Sequence, residues 1–428
     1  MTYSLENARS LIAIVAIVLI AWLLSENKKR FPFLLMIGAL AAQVGLVLAL
    51  FAVPNAQALL DGVSGAVDGL ASATDKGTEF VFGYLGGRPE QQPFPIQQQN
   101  NLFIFGFRVL PLILVISALS ALLWHWKILK WITHGFGFLF QRTMGLTGPS
   151  ALAVAANIFM GMVESPIVIR AYLDRLTRSE LFLMMVVGLA TVAGSTMVAY
   201  AVILHDVLPN AAGHVLVASI ISAPAGILLA RIIIPEQNGG AHLEPGDELK
   251  YESSMDALTR GVQDGVMVAV NVAAFLMVFV AFVWIVNNML ALAPPLDGAP
   301  LTLQRIFGYA FAPIAYLIGM PWSESQTGGS ILGTKLFLTE FIAYIELGAI
   351  PVDVLSERSR MILTYAICGF ANVASVGIMT GGMSVLMPGR RSEIFSLAWK
   401  SLAPGYMATL MTASVVAALP AGLFGGAK

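Results

Sequence analysis

The segment GFANVASV, residues 369–376, lies inside the apolar run 361–386, which is long enough to cross a membrane. Its Gly369, Asn372 and Ser375 lower helix propensity and place polar groups in hydrocarbon. A helix that faces only lipid gains nothing from such residues. The question is therefore what these polar groups face.

The overall composition is that of an integral membrane protein. Hydrophobic residues make up 57% of the 428 residues and charged residues 11%, which is more apolar surface than a soluble domain of this length can bury. The net charge of -1 excludes the basic surface of a nucleic-acid-binding protein, and the single cysteine, Cys368, cannot form an internal disulfide. The first apolar run, 11–24, is interpreted as an uncleaved span, because Glu6 and Arg9 make a poor signal-peptide n-region.

Runs of about 20 apolar residues predict the spans of an all-α membrane protein. Two stretches, near 148–169 and 318–345, are interrupted by Pro, Gly, Glu and Ser, which predicts two re-entrant helical hairpins. If both termini lie outside, Lys and Arg concentrate in the inner segments. We therefore expect a multi-pass protein of the bacterial inner (cytoplasmic) membrane with both termini periplasmic. The eight predicted transmembrane helices lie near 9–25, 32–53, 102–126, 180–204, 212–234, 265–290, 361–386 and 394–425.

A second segment resembles the first. GLATVAGS, residues 188–195, matches GFANVASV in five of its first six positions, exactly or by similar chemistry, and each segment follows an interrupted hairpin. In the predicted topology the first unit begins inside and the second outside, so the two form an inverted repeat. Such repeats place a substrate and ion site near the bilayer midplane. Close helix packing is the alternative reason for the small residues, but it does not explain Asn372 beside buried carboxylates.

The motifs GMPWSESQTGGSILGTKLFLTEFIAY, GFANVASVGIMTGGM and PGRRSE, in this order, resemble the concentrative nucleoside transporter family. The resemblance covers most of the chain from about 102 to 420. It implies a homotrimer with eight spans and two re-entrant hairpins, in which a transport domain moves like an elevator against a trimeric scaffold. It also implies symport of nucleosides, usually with sodium and in some bacterial members with protons. A member of this family is a transporter and not an enzyme.

With that resemblance, the chain is expected to divide into scaffold and transport parts. The interfacial segment mixes Trp, Phe and basic residues, and the connector is polar. The expected parts are scaffold spans 1–3 with the outer loop 54–100 (1–126), an inner interfacial helix (127–146), a first transport repeat with hairpin 1 and spans 4–5 (147–234), a cytoplasmic connector (235–260), scaffold span 6 (261–293) and a second transport repeat with hairpin 2 and spans 7–8 (303–428).

The resemblance also implies the residues of a nucleoside site. Glu340 matches the glutamate that binds ribose, and a carboxylate suits the vicinal hydroxyls of a sugar. The first-hairpin tip GMVESP departs from the usual GQTEAP, and TEF replaces NEF with Thr339. Because Met and Val cannot form ordinary hydrogen bonds, we expect weaker selectivity among bases, or a preference for a modified or more apolar base and thus a modified-nucleoside transporter. The alternative is that these two side chains only pack the hairpin. The expected substrate-binding residues are Met162, Val163, Glu164, Thr196, Glu340, Phe370, Asn372 and Ser375.

The sodium position of the family falls on Asn157, Met160, Thr191 and Val192, mostly through main-chain carbonyls. Only the Thr191 hydroxyl is a side-chain oxygen suited to a hard cation, and a mid-helix Thr often bonds its own helix instead. Because the sodium position of the family falls on these residues, sodium is the expected coupling ion.

Two alternatives to a sodium symporter stay open. A proton is the alternative coupling ion, carried by a buried Glu. A channel is the alternative of another class, and saturable uptake that needs a cation gradient would exclude it.

Overall fold

The computed structural model describes residues 5–51, 56–86, 104–205, 207–236, 250–295 and 298–420. The described residues form α-helices and no β-strand, which confirms the expected all-α fold. The helices are α1 (Leu5–Leu23), α2 (Phe33–Phe51), α3 (Ala56–Phe82), α4 (Phe105–Arg108), α5 (Leu110–His125), α6 (Ile128–Met144), α7 (Gly148–Met160), α8 (Ser165–Val168), α9 (Arg178–Ala190), α10 (Gly194–Leu204), α11 (Ala211–Ile233), α12 (Ser254–Leu290), α13 (Leu303–Leu317), α14 (Trp322–Phe337), α15 (Glu340–Ala349), α16 (Glu357–Ile367), α17 (Val373–Leu386) and α18 (Arg391–Ala418).

The apolar helices are those of a multi-pass membrane protein. α13 and α14 are long and apolar enough for one span only as a pair, which bends by 117°. α1, α2, α7 and α17 are apolar but shorter, so the number of eight spans stays a prediction. Five segments of the described residues are each long and apolar enough to cross a membrane: Phe105–His125, Arg178–Leu204, Ala211–Ile233, Ser254–Leu290 and Pro388–Ala418.

The same order of helices occurs twice. In the first unit α6 precedes the pair α7 and α8, then α9 and α10 with residues 191–193 between them, then α11. In the second unit α13 precedes α14 and α15, then α16 and α17 with residues 368–372 between them, then α18. The sequence pattern of hairpin followed by interrupted span is therefore present in the helices. It did not predict α13 as a helix, because Gln304 and Arg305 interrupt its apolar run.

The two interruptions touch each other. α9 ends at Ala190, and the Phe370 N–H of the second interruption donates to the carbonyl oxygen of Thr191 at 3.2 Å. A Cβ on Gly369 would lie 2.8 Å from the carbonyl oxygen of Ala190, so only glycine fits this approach. Beside it the buried Cys368 thiol lies 3.6 Å from the carbonyl oxygen of Val215. The helix ends of both repeats thus meet at one place inside the molecule.

Helix packing separates α5 and α12 from most other helices. α12 packs along α5, where a Cβ on Gly261 or Gly265 would lie 2.8 Å from backbone of α5. Many other side chains of α12 are apolar and exposed, such as Met277 and Trp284. By contrast, α1 packs on α18 and α2 on α11. The first two helices thus contact the last helix of each repeat, and the grouping of spans 1–3 in one scaffold stays a prediction.

An ion-pair cluster around Glu26, which lies between two helices, joins the two repeats. The Glu26 carboxylate, between α1 and α2, accepts from Arg178 at the start of α9 and from Lys400 in α18. The Arg178 hydrogen bonds, together with Lys400 and against the opposing effect of partial burial, lower the pKa of Glu26 from 4.5 to about 2. Glu26 therefore stays ionised at any physiological pH.

Candidate functional site

A cavity of about 830 Å³ lies where the two hairpin tips approach the two interruptions. α12 closes one side of it with Val268, Asn271 and Phe275 among its side chains. The structure brings together every residue that the sequence predicted for substrate binding: Met162, Val163, Glu164, Thr196, Glu340, Phe370, Asn372 and Ser375. Asn271 lines the same cavity and was missed, since an isolated Asn in a long apolar helix matches no motif.

Glu340 is the most firmly held acid of the cavity. It is the first residue of α15 and is only 4% exposed. One carboxylate oxygen accepts from the Tyr200 hydroxyl at 2.8 Å, and the other accepts from Asn372 Nδ2 at 2.5 Å. Each oxygen keeps a second acceptor position. The carboxylate is thus fixed in orientation and can still accept hydrogen bonds from a ligand.

Asn372 has a structural role as well. It is the N-cap of α17, and its Oδ1 accepts from the Ser375 N–H at 2.7 Å. The cap fixes which amide atom points at Glu340, because only Nδ2 remains to donate. Thr339 caps α15 in the same way by accepting from the Ile342 N–H at 3.2 Å, which accounts for Thr at this position.

Tyr200 is a second residue that sequence reasoning missed. It lies on α10, is fully buried, and its ring stacks on Tyr344 with 4.2 Å between ring centres. Phe341 packs edge-on against it at 4.8 Å. These contacts hold the hydroxyl against Glu340, so a ring in the first repeat orients the acid of the second.

The first-hairpin tip is apolar and tightly packed. Gly161 has a φ of 86°, and a Cβ there would lie 2.9 Å from Ala193 Cβ, so the turn needs glycine. Met162 is 8% exposed and packs on Gly188, while Val163 packs on Gly382. Both side chains line the cavity and also fill space between helices.

Glu164 follows at the same tip and differs from Glu340 in its surroundings. It is half-buried, and its side chain makes no hydrogen bond within the described part of the chain. It lines both the main cavity and a second one of about 1100 Å³, whose other polar residues include Tyr251, Arg260 and Asp264. Glu164 thus stands at the boundary between the two cavities.

The four residues expected to bind sodium lie at the adjoining ends of α7 and α9. The Thr191 hydroxyl is 2.9 Å from the Val187 carbonyl oxygen and 3.3 Å from that of Asn157. Met160 is the last residue of α7, and Val192 lies in the interruption, where its N–H donates to Ser219 Oγ at 3.3 Å. Main-chain oxygens at helix C-termini and one hydroxyl are donors that suit a hard monovalent cation.

Side-chain contacts around these oxygens limit what each can do. Asn157 Oδ1 accepts from the Ser165 hydroxyl at 2.7 Å, and its Nδ2 has no partner among the described residues. Thr191 bonds its own helix at i-4, as a mid-helix Thr often does. The donor set fits a cation, while Thr191 has a structural partner as well.

Comparison with known proteins gives the following matches. Family models described as the Na+ dependent nucleoside transporter N-terminus and C-terminus match residues 12–85 and 214–417, and a "Nucleoside recognition" gate model matches 106–206. An "Uncharacterized transporter" of Haemophilus influenzae is 35% identical, with 97% of each chain covered. "Nucleoside permease NupC" of Helicobacter pylori is 32% identical, again with 97% of each chain covered. These relatives are transporters and not enzymes.

The chain also resembles solved structures of the protein CNTnw. CNTnw in an inward-facing, substrate-bound state superposes with a TM-score of 0.87 at 32% identity, covering 98% of each chain. A variant of CNTnw in an outward-facing state gives 0.89 at 32% identity, covering 96% of this chain and 97% of the other. The likeness extends over nearly the whole length of both chains.

Proposed function

The chain belongs to the concentrative, Na+-dependent nucleoside transporter family, and on that premise we propose that it imports nucleosides by symport with sodium. One observation carries the proposal. The carboxylate of Glu340 is held between Tyr200 and Asn372 on the wall of the main cavity. This arrangement offers fixed acceptors to the vicinal hydroxyls of a ribose.

The sugar end of the substrate is proposed to lie at the second repeat. Glu340 accepts from one or both ribose hydroxyls, while the Ser375 hydroxyl and the ring of Phe370 line the adjoining wall. Since the carboxylate is oriented before the substrate arrives, binding loses little free energy in ordering it. Asn271 of α12 is a further polar group within reach of the same cavity.

The base end is proposed to lie at the first-hairpin tip, against Met162 and Val163. Glu164 is the one acid there, and Thr196 lies beside it with its hydroxyl on the Ala193 carbonyl oxygen at 2.9 Å. Apolar walls discriminate by shape and contribute only about 1 to 3 kcal/mol per misplaced group. We therefore expect the ribose to be recognised more strictly than the base.

Sodium is the proposed coupling ion, and the ends of α7 and α9 support it. Their last carbonyl groups lack partners in their own helices and carry the negative end of the helix dipole. Thr191 adds a hydroxyl at this place. A proton remains the second candidate, because Glu164 lies between two cavities and its carboxyl group has no hydrogen-bond partner among the described residues.

The proposed transport step is an elevator movement in a homotrimer of the inner membrane. We place α1 and α2 with the moving repeats, because they pack on α18 and α11, and take α5 and α12 as the static part. The exposed apolar face of α12 is the proposed surface for neighbouring subunits and lipid. In the predicted topology the second cavity opens to the inner side, which corresponds to an inward-facing state.

The test is uptake into proteoliposomes. Uridine, cytidine, adenosine and guanosine are offered with an inward sodium gradient, with choline in place of sodium, and with a pH gradient alone. Saturable uptake that needs sodium is expected. Uptake driven only by the pH gradient transfers the coupling to protons, non-saturable flux with no gradient supports a channel, and no nucleoside uptake under any condition refutes the proposal.

A further inference from the structure

Lys335, in α14, is a fully buried cation outside the sites described above. Its Nζ donates to the carbonyl oxygen of Ala366 at 3.0 Å and to Thr409 Oγ1 at 2.6 Å, and lies 4.9 Å from the ring centre of Tyr406. Within the described chain, no carboxylate lies at ion-pair distance from Nζ. A buried charge without a counter-ion is costly and calls for an explanation.

The surroundings of Nζ match the three donors of an ammonium group. The Thr409 hydroxyl donates to the Tyr406 carbonyl oxygen at 2.9 Å, so it accepts from Lys335. Two oxygen acceptors and one aromatic face therefore surround the nitrogen, and an aromatic face attracts a cation. An ammonium group can use all three of these contacts.

The Lys335 ammonium lies at the C-terminal end of another helix, α16. Ala366 is in the last turn of α16, just before the interruption 368–372. The last carbonyls of a helix have no partners in the helix and carry a partial negative charge. The Tyr344 hydroxyl donates to the Thr364 carbonyl oxygen at 3.0 Å in the same turn. Side-chain donors, one of them a cation, thus cover this helix end.

The first repeat has the corresponding geometry without the charge. α7 corresponds to α14 in the order of helices, and α9 corresponds to α16. Asn157 is three residues from the end of α7, and Lys335 is two residues from the end of α14. α7 contains no Lys or Arg, and beyond Arg178 neither does α9. The end of α9 therefore presents oxygens to which no side chain of α7 brings a positive charge.

We propose that the Lys335 ammonium is a tethered cation that occupies, in the second repeat, the position that the mobile coupling cation takes in the first. This inference rests on the proposed sodium site at Asn157 and Thr191. It explains the buried lysine, and it predicts that removing the side chain opens a second cation site beside Ala366 and Thr409.

Two variants that differ in volume test the inference. In Lys335→Ala the side chain is removed, so uptake is expected to fall about tenfold or more, because hydrogen bonds to a charged group are lost. Added propylammonium, or a higher sodium concentration, is expected to restore part of the uptake. Uptake by this variant is also expected to depend more steeply on the sodium concentration. In Lys335→Met the thioether fills the space without charge, so the same loss is expected without rescue. Thr409→Val is the control that removes one acceptor and keeps the ammonium.

Thermal unfolding in detergent gives a readout that needs no nucleoside. Propylammonium is expected to raise the Tm of Lys335→Ala and to leave the Tm of the parent and of Lys335→Met unchanged. The inference is overturned if Lys335→Met transports like the parent, or if neither propylammonium nor sodium changes the Tm or uptake of Lys335→Ala. A parent that transports no nucleoside refutes the proposed function instead, since amine-dependent stabilisation is measured without substrate.

Discussion

In the first repeat, the hairpin tip between α7 and α8 presents Met162 and Val163 to the cavity, whereas in the second the tip between α14 and α15 presents Glu340. The acid is held by two hydrogen bonds. The two apolar side chains are held by packing alone, on Gly188 and Gly382. In the proposed nucleoside site, these equivalent elements provide strict polar recognition at one end of the ligand and tolerant shape recognition at the other.

The largest expected effect comes from the polar end. Glu340→Gln replaces one acceptor oxygen of a buried, charge-assisted network by a donor, and Asn372→Ala removes the amide that orients it. Each is expected to weaken nucleoside binding by about 1.5 to 3 kcal/mol, or more than tenfold. Binding to purified protein and uptake into proteoliposomes measure the loss.

A matched control for Glu340→Gln lies on the same helix. Glu346 is a half-buried acid of α15 outside the cavity, with Gln304 Nε2 at 3.4 Å, and Glu346→Gln should leave nucleoside affinity unchanged. Unchanged uptake in a well-folded Glu340→Gln variant would remove this acid from the site.

The apolar tip is tested by making it polar. Met162→Gln with Val163→Thr is expected to sharpen discrimination among uridine, cytidine, adenosine and guanosine, because a wrong base leaves a buried polar group unpaired at a cost of about 1 to 3 kcal/mol. Competition uptake with each nucleoside, and with a base-modified analogue, measures the order of preference.

The same experiment contains an internal control. The cost of removing a ribose hydroxyl, measured with a deoxynucleoside, should be equal in the parent and in the double variant, because Glu340 is unchanged. A parent with the same order and sharpness of base preference as the double variant would show that the tip only packs the hairpin.

A smaller effect is expected at the ion site. Thr191→Val keeps the side-chain shape and removes the hydroxyl, so the sodium concentration for half-maximal uptake should rise about three- to tenfold, as for one lost neutral interaction. Thr191→Ser keeps the hydroxyl and should behave like the parent. If both variants and the parent ignore sodium but respond to pH, the coupling ion is a proton.

The smallest effect concerns the contact that joins the repeats. The lowered pKa of Glu26 means that its stabilising effect is present above pH 4.5 and is lost as the pH falls toward 2. Because the carboxylate is about one-third exposed, Glu26→Gln should cost less than about 1 kcal/mol at pH 7. Thermal unfolding at pH 7 and at pH 3 should show that the difference from the parent shrinks.

Glu79→Gln, which breaks an exposed pair with Lys76 on α3, is the control for Glu26→Gln. It should have no measurable effect on the Tm at either pH. If the Tm of Glu26→Gln lies equally far below that of the parent at pH 7 and at pH 3, the effect of the substitution comes from packing and not from charge.

Local motifs predicted the cavity residues well, because GMVESP, TEF and GFANVAS each place their polar or tip residues next to a helix end. They did not reveal Tyr200, whose partner Glu340 is 140 residues away. Nor did they explain Lys335, whose charge becomes unusual only when Ala366 and Thr409 are seen around it. Contacts between distant segments leave no periodic or spacing signal in a single sequence.

The packing of α1 and α2 was missed for the same kind of reason. In the sequence both are plain apolar spans. The sequence of an apolar membrane helix gives little information about which helix packs against it. The structure places Asn7 of α1 on the carbonyl oxygens of Ala417 and Leu419, at 2.8 Å each. A single polar residue near the end of a span was therefore the available signal.

The buried position of Cys368 matters for following the movement in solution. It is the single cysteine of the chain, and a thiol enclosed in apolar surroundings reacts poorly with maleimides and methanethiosulfonates. Cysteines introduced at exposed positions such as Met255 at the start of α12 and Val385 at the end of α17 can therefore be labelled in the otherwise native sequence. Spin labels at this pair would report the distance between the proposed static and moving parts, with and without nucleoside, from a protein whose helix interruption is intact.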